Sequence, residues 1–305
     1  MPATKTPLAV IGTVAVDAVE TPFGKRERVF GGSAAYFSYA ASLLTPVALV
    51  AVVGEDFPEE YRAILKERPI DLSHLQTLPG KTFSWTGKYE FDMNSAKTLA
   101  THLNVLTDFS PQLRFDPTPE FLFLANIDPV LQSKVLDQMQ KPRVRYTACD
   151  TMNFWIASKR AELLQVFKRI DCVVLNEGEA RELTGEANLI RAAQRIREMG
   201  PNHVVIKKGE HGVLAYYEGS FFTLPGYPLE TVKDPTGAGD TFAGSLMGYL
   251  ASAGKVDFQT FKTAIAYGSV MASFTVEDFG LDSLRRRKMA DLQERLNVFR
   301  QMSSF

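Results

Sequence analysis

The chain has 305 residues, of which 45% are hydrophobic and 23% charged, and its formal net charge is −1. That composition is ordinary for a globular protein, and the length suits one large α/β domain over residues 1–305. A charge so near zero supplies no basic field for nucleic acid or an anionic membrane, although local phosphate sites stay open.

The chain starts with an apolar run from Leu8 to Val16 that is followed at once by Asp17 and Glu20, with Lys5 as its single basic flank. It predicts a first strand rather than a signal peptide. No later stretch approaches the roughly 18–20 apolar residues that a membrane span needs. The two cysteines, Cys149 and Cys172, each sit inside an apolar run, where a reduced buried thiol fits better than a disulfide. The expected location is therefore cytoplasmic.

Short apolar runs recur at 8–12, 47–54, 121–125, 144–150, 172–176, 203–209 and 212–217. They are continuous rather than alternating, so most are expected to be buried on both faces, as in a parallel sheet covered by helices. Between them, helical spacing predicts helices at 33–44, 57–68, 129–140, 157–169, 187–199, 240–253, 257–276 and 284–302. This alternation argues for a doubly wound α/β fold with a mainly parallel sheet, in which ligands bind beyond the carboxyl ends of the strands. Gly12, Gly54, Asp150, Asn176 and Gly209 fall at those ends.

One segment follows another rule. In 82–92 the odd positions Phe83, Trp85, Gly87, Tyr89 and Phe91 are apolar or glycine and the even positions are polar, which predicts a half-buried strand. The stretch 14–30, with a turn at Pro22 to Gly24, is expected to pair with it. Together, segments 14–30 and 82–107 predict a small β lid, with one face available to a homodimer contact.

The densest chemistry lies in DPTGAGDTFAG, residues 234–244. Phe242, Leu246 and Leu250 form an apolar stripe, so a buried helix is expected to begin near Gly239, with Gly244, Ser245 and Gly248 permitting close approach of a strand or a ligand. The free N–H groups of a helix start make an anion site, and Gly237 and Gly239 let the backbone come close to it. Phosphate binding does not explain Asp240, whose carboxylate would repel the anion. Kept ionised by the helix dipole, it suits the task of accepting the proton of a hydroxyl that attacks phosphorus. The P-loop pattern is absent, and Phe242 stands where a dinucleotide fingerprint needs its third glycine. His74, His102, His203 and His211 have no paired metal-ligand spacing, and no G-x-S-x-G turn exists.

On these residues the chain resembles the carbohydrate kinases of the ribokinase, or PfkB, family, from about Leu8 to Gly280. The family signature D-x-x-G-A-G-D is met by Asp234, Gly237, Ala238, Gly239 and Asp240. The resemblance implies a ribokinase-like fold, Asp240 as catalytic base, and the N–H groups of Gly237, Ala238 and Gly239 as the hole for the γ-phosphate of ATP. Gly12 and Asp17 match the glycine and the substrate-binding aspartate after the first strand, and Gly31 and Gly32 the pair that lies against the sugar. Tyr36 departs from the family, which mostly carries a substrate-binding Asn there; it is either a substrate contact or a core aromatic. Asp150 and Asn153, at another strand end, are candidate contacts for substrate or nucleotide.

The N-x-x-E pattern at Asn176 and Glu179 implies a Glu that orients Mg²⁺ through water near the nucleotide, and the same letters make a helix cap. In KKGEHG, Lys208 and Gly209 match the family's nucleotide loop, whereas Lys207 reads as a solvated strand end. Asp234 and Thr236 occupy positions that help form a monovalent-cation (K⁺) site in some relatives. The expectation is an ATP-dependent kinase acting on a hydroxyl of a sugar, with the strand near Trp85 closing over it. A nucleoside kinase on the same fold, favoured by Tyr36, Phe83 and Trp85, and a non-catalytic sugar or nucleotide sensor are the alternatives.

Overall fold

The computed structural model describes residues 6–94, 96–139 and 143–304; the last position of the helix expected at 129–140 lies outside them, as does position 95 of the lid. In chain order the strands are β1 Leu8–Ile11, β2 Ala15–Thr21, β3 Gly24–Gly31, β4 Val47–Gly54, β5 Ile70–Asp71, β6 Leu75–Leu78, β7 Ser84–Tyr89, β8 Ala96–His102, β9 Phe121–Leu124, β10 Tyr146–Asp150, β11 Cys172–Asn176, β12 His203–Lys207, β13 Val213–Tyr217 and β14 Ser220–Leu224. One sheet runs β14-β13-β12-β11-β10-β9-β1-β4-β5, with β6 also on β4. It is parallel except at one edge, where β13 and β14 pair antiparallel.

The continuous apolar runs explain this sheet. Every residue of β4 is buried, and β1 sends Leu8 and Val10 into the core on one face and Ala9 and Ile11 into the core on the other. A helix layer therefore covers each face, as a strand buried on both sides requires. On the first face lie the helices Ser33–Ala41, Ala238–Ala253 and Phe258–Thr275. Gly244 and Gly248 serve that packing. A Cβ on Gly244 would stand 2.3 Å from the Phe37 carbonyl oxygen, so the group that comes close is the helix Ser33–Ala41 rather than a strand or a ligand.

The second sheet, β3-β2-β7-β8, is the expected lid. β2 and β3 form a hairpin and β2 runs parallel to β7. Of the alternation expected over 82–92, buried Gly87 and Tyr89 keep to it, whereas Thr82 is buried against expectation, its hydroxyl donating to Asp56 Oδ1 at 2.7 Å, and the pattern ends at Tyr89. A turn then takes over, in which the Met93 N–H reaches the Glu90 carbonyl at 3.0 Å, so Phe91 is 91% exposed instead of facing inward.

The helix expected over 284–302 is two helices, Asp282–Arg286 and Met289–Ser303. Arg287 is extended between them and turns its guanidinium to Glu277 and the Phe274 ring. The edge strand β14 and the short β5 and β6 have too few apolar residues to announce themselves. Both cysteines are free and buried, and burial pushes the Cys172 thiol up to about 12. Among the described residues no helix is long and apolar enough to cross a membrane.

Candidate active site

The helix Ala238–Ala253 begins with Gly237 in the left-handed region, at φ 75°. There a side chain would be strained, and it would also have no room: a Cβ on Gly237 would lie 2.5 Å from ring atoms of Tyr36. Asp234 fixes the turn before it. Buried completely, it accepts the Thr236 N–H at 2.9 Å and the Gly280 N–H at 3.4 Å. Among the described residues the N–H groups of Gly237, Gly239 and Asp240 have no backbone acceptor, whereas that of Ala238 goes to the Pro235 carbonyl at 3.1 Å. The free donors are thus Gly237, Gly239 and Asp240, a set that differs from the expected one by exchanging Ala238 for Asp240.

Asp240 stands half-buried in the first turn of this helix. Its carboxyl is pushed up to about 7, first by loss of hydration and then by the charge of Asp150, with Lys207 pulling the other way. Without ligands, burial outweighs the helix dipole that was expected to keep it ionised. A carboxyl that exchanges its proton near neutrality is well matched to proton transfer.

Asp17, on β2, is buried beside it. Its Oδ1 accepts the Trp85 N–H at 2.9 Å, and its Oδ2 lies where Gly31 has no side chain, since a Cβ there would be 2.1 Å away. Burial pushes this carboxyl up to about 7 against the Trp85 and Gly32 N–H groups, with the charges of Asp240 and Asp234 adding to the rise. Gly32, at φ 100°, begins the helix Ser33–Ala41 with the Thr13 carbonyl 2.5 Å from any Cβ it could carry. Tyr36, one turn on, is 1% exposed, and its hydroxyl is buried without a partner. Its ring forms the floor under Gly237.

The carboxyl ends of β10, β11 and β12 close the other side. Asn176 and Glu179 make a reciprocal cap: the Glu179 N–H donates to Asn176 Oδ1 at 2.8 Å and the Asn176 N–H donates to Glu179 Oε2 at 2.7 Å. Glu179 Oε1 makes no hydrogen bond among the described residues. Burial, then the charge of Asp150, pushes the Glu179 carboxyl up to about 8.

Asp150 is held by the Thr151 N–H at 2.7 Å and by the Lys207 ammonium at 3.2 Å, so both of its oxygens are engaged. Asn153 turns instead to Glu182, in an exposed pair. Lys207, expected as a solvated strand end, is largely buried and faces inward, and a Cβ on Gly239 would stand 2.7 Å from its Nζ. Lys208 is half-buried and Gly209 is exposed, with the lid residue Asn94 against it: its Oδ1 would be 2.5 Å from a Gly209 Cβ.

Lid and body also meet away from the carboxyl groups. Thr21 Oγ1 donates to the Lys233 carbonyl at 2.9 Å, Thr236 Oγ1 and the Tyr89 hydroxyl are 3.4 Å apart, and Val19 and Tyr89 pack with Phe279. The Trp85 indole lies across Gly87, where a Cβ would be 1.8 Å from the ring, and its Nε1 donates to Thr98.

Comparison with known proteins decides the lineage: the profile of the pfkB family carbohydrate kinases matches residues 5–286. The chain belongs to that family. Its relatives include the cytidine kinase of Thermococcus kodakarensis, 34% identical over 252 residues that cover 79% of this chain and 88% of that protein. The ribokinase of Haemophilus influenzae is 25% identical over 299 residues, covering 90% and 94%. The nucleoside kinase of Methanocaldococcus jannaschii, described as an archaeal member of the ribokinase family, has the same fold: TM-score 0.78 at 20% identity, over 97% of this chain and 100% of that one. The Burkholderia thailandensis nucleoside kinase in complex with inosine also superposes with TM-score 0.78, at 19% identity, over 96% and 98%. This pfkB-family chain is thus a ribokinase-like phosphotransferase of the sugar and nucleoside kinase group.

Among the described residues no three His, Cys, Asp or Glu side chains converge as a metal cage. A Mg²⁺ ion carried on phosphates and held by one outer carboxylate needs no such cage. The carboxyls of Asp150, Glu179 and Asp240 are all raised, first by burial, with Lys207 as the cation that opposes the rise, and a divalent ion beside them would favour their ionised forms.

Proposed function

We propose that this protein transfers the γ-phosphoryl group of ATP to a hydroxyl of a nucleoside's sugar, in line and without a phosphoenzyme. The observation that carries the reading is the first turn of one helix. There Gly237, Gly239 and Asp240 offer free N–H groups to an anion while the Asp240 side chain stands beside them to take a proton. The N–H groups stabilise charge on the transferring group, and Asp240 accepts the proton of the attacking hydroxyl. Asp17, with Gly31 leaving room beside Oδ2, accepts hydrogen bonds from the acceptor's hydroxyls.

Glu179 orients Mg²⁺ through water, and the ion supplies neutralisation of phosphate charge. Lys208 and Gly209 border the nucleotide. Asp234 and Thr236 fix the loop, and K⁺ beside them would act on that loop and not on the acceptor. Tyr36, buried under Gly237, supports the anion site instead of touching substrate.

The sequence put free sugars first. The identity to a cytidine kinase over most of the chain favours nucleosides, and a lid face bearing Trp85 suits a flat base. A free sugar is the second reading, supported by the ribokinase relative. The test is coupled ADP release with Mg-ATP against nucleosides, pentoses, hexoses and sugar acids, each repeated with Asp240→Asn. Stimulation by a nucleoside and its loss in the variant support the reading. Stimulation by sugars alone moves the substrate class, and an active Asp240→Asn variant removes the base.

A further inference from the structure

Lys207 reads in the sequence as a solvated strand end, yet it enters this cleft. It ends β12, in register with Asn176 at the end of β11, so its side chain emerges between Asp150 and the start of the helix Ala238–Ala253. Its ammonium makes two approaches. It is 3.2 Å from Asp150 Oδ2, and it stands so close to Gly239 that a methyl group there would fall 2.7 Å from Nζ. Gly239 carries one of the free N–H groups, so a cation and unpaired helix-start donors converge on one point.

Burial works against the charge of Lys207, but Asp150 above all, then Glu179 and Asp240, hold its ammonium above the ordinary lysine range. It is therefore a charged, dry, movable point donor on a flexible stem, which is the chemistry that suits phosphate.

We infer that Lys207 is a catalytic residue: its ammonium moves from the Asp150 carboxylate onto the phosphoryl group held at Gly237, Gly239 and Asp240. This rests on the kinase reading above. In the transfer, a bond forms between the acceptor oxygen and phosphorus as the bond from phosphorus to the ADP oxygen breaks. The acceptor proton goes to Asp240, and Lys207 keeps its own protons throughout. Asp150 is then a positioning residue that holds Lys207 charged and aimed until phosphate arrives. Gly239 is glycine in part because any side chain would occupy the ammonium's place.

The test separates a phosphate contact from a merely structural ion pair. Lys207→Met leaves Asp150 buried and unpaired, which by itself disturbs a site, so the double variant Lys207→Met with Asp150→Asn is made beside it. Calorimetry measures binding of ADP, inorganic tripolyphosphate and adenosine to each, with turnover measured on the acceptor that the wild type uses. The expected result is a loss of about 10²–10³-fold in kcat in both variants. Tripolyphosphate affinity should fall at least about tenfold, while the affinities of adenosine and of ADP, which lacks the transferring group, stay within about threefold. Recovery of the double variant to within about threefold of wild type would show that Lys207 only neutralises Asp150. Undiminished tripolyphosphate binding in Lys207→Met overturns the assignment alone. A wild type that binds neither ADP nor tripolyphosphate overturns it together with the nucleotide reading.

Discussion

The main sheet and the lid sheet contribute to the same cleft on different physical terms. Body strands such as β1 and β4 are buried on both faces, and the groups at their carboxyl ends are held by close packing: Asp150, Glu179, Lys207 and the Gly237 turn. In the lid, β8 is exposed along most of its length; a small apolar cluster of Val19, Tyr89 and Phe279, with Trp85 and Met93 against it, joins lid to body, and Phe30 at the end of β3 enters the main core. The groups to which we assign phosphate and proton thus sit on the part that is buried on both faces, while those assigned to enclose the acceptor sit on the sheet that carries the exposed strand β8. A site that must admit and release a substrate needs that division.

If the division is right, the largest effect belongs to the body. Asp240→Asn should lower kcat by about 10³-fold or more while ADP affinity stays within a few-fold, checked by turnover and calorimetry. Comparable turnover in the variant would break the comparison at its strongest point.

Asp17 lies where the two regions meet, and Asp17→Asn should raise the acceptor KM and lower kcat, together costing about 10²-fold in kcat/KM with little change in ATP KM. A purely lid change should cost less. Trp85→Ala should raise the acceptor KM by about tenfold and increase acceptor-independent ATP hydrolysis relative to transfer, measured as the ratio of ADP to phosphorylated product. Equal loss for ATP would mean that lid and body are not separable.

A pH profile sharpens the body's side. Burial and then Asp150 push Asp240 up to about 7, so kcat/KM should rise with pH as Asp240 loses its proton. Asp150→Asn removes one like charge and frees Lys207 to act on Asp240; both favour the ionised form, so the acidic limb should move to lower pH.

The smallest effect is on stability. Asp17 and Asp240 are both raised to about 7 in the fold, so the folded state binds more protons than the unfolded chain between the ordinary carboxyl range and about 7. Their contribution is favourable below that window and is lost as pH rises through it. Asp17→Asn should therefore raise Tm by a few degrees at about pH 8 and by almost nothing at about pH 4, read by calorimetric melting.

Much of this was legible before any fold existed. The continuous apolar runs give the parallel sheet, the alternation that ends at Tyr89 gives a strand of the lid, and the crowding of Gly237, Gly239 and Asp240 gives a helix start with free N–H groups and a carboxyl beside them. Phe91 was misplaced because alternation does not say where a strand stops, and the break at Arg287 was invisible because a helical pattern continues through it. Lys207 was read as a solvated strand end and is instead largely buried against Asp150. Two adjacent lysines at a strand end point to opposite sides, and only the register of β12 on β11 says which enters the cleft.

The sequence by itself determined the layer architecture, the helix that begins at Gly237 and the identity of the acid groups, because periodicity, glycine and side-chain chemistry are local properties. Tertiary structure decided which carboxyls meet, that Ala238 gives its N–H to Pro235, that Tyr36 lies beneath the anion loop, and that Lys207 is paired with Asp150 across 57 residues. Those outcomes depend on distance through space and on the hydration each group loses there, and neither is fixed until the strands are laid side by side.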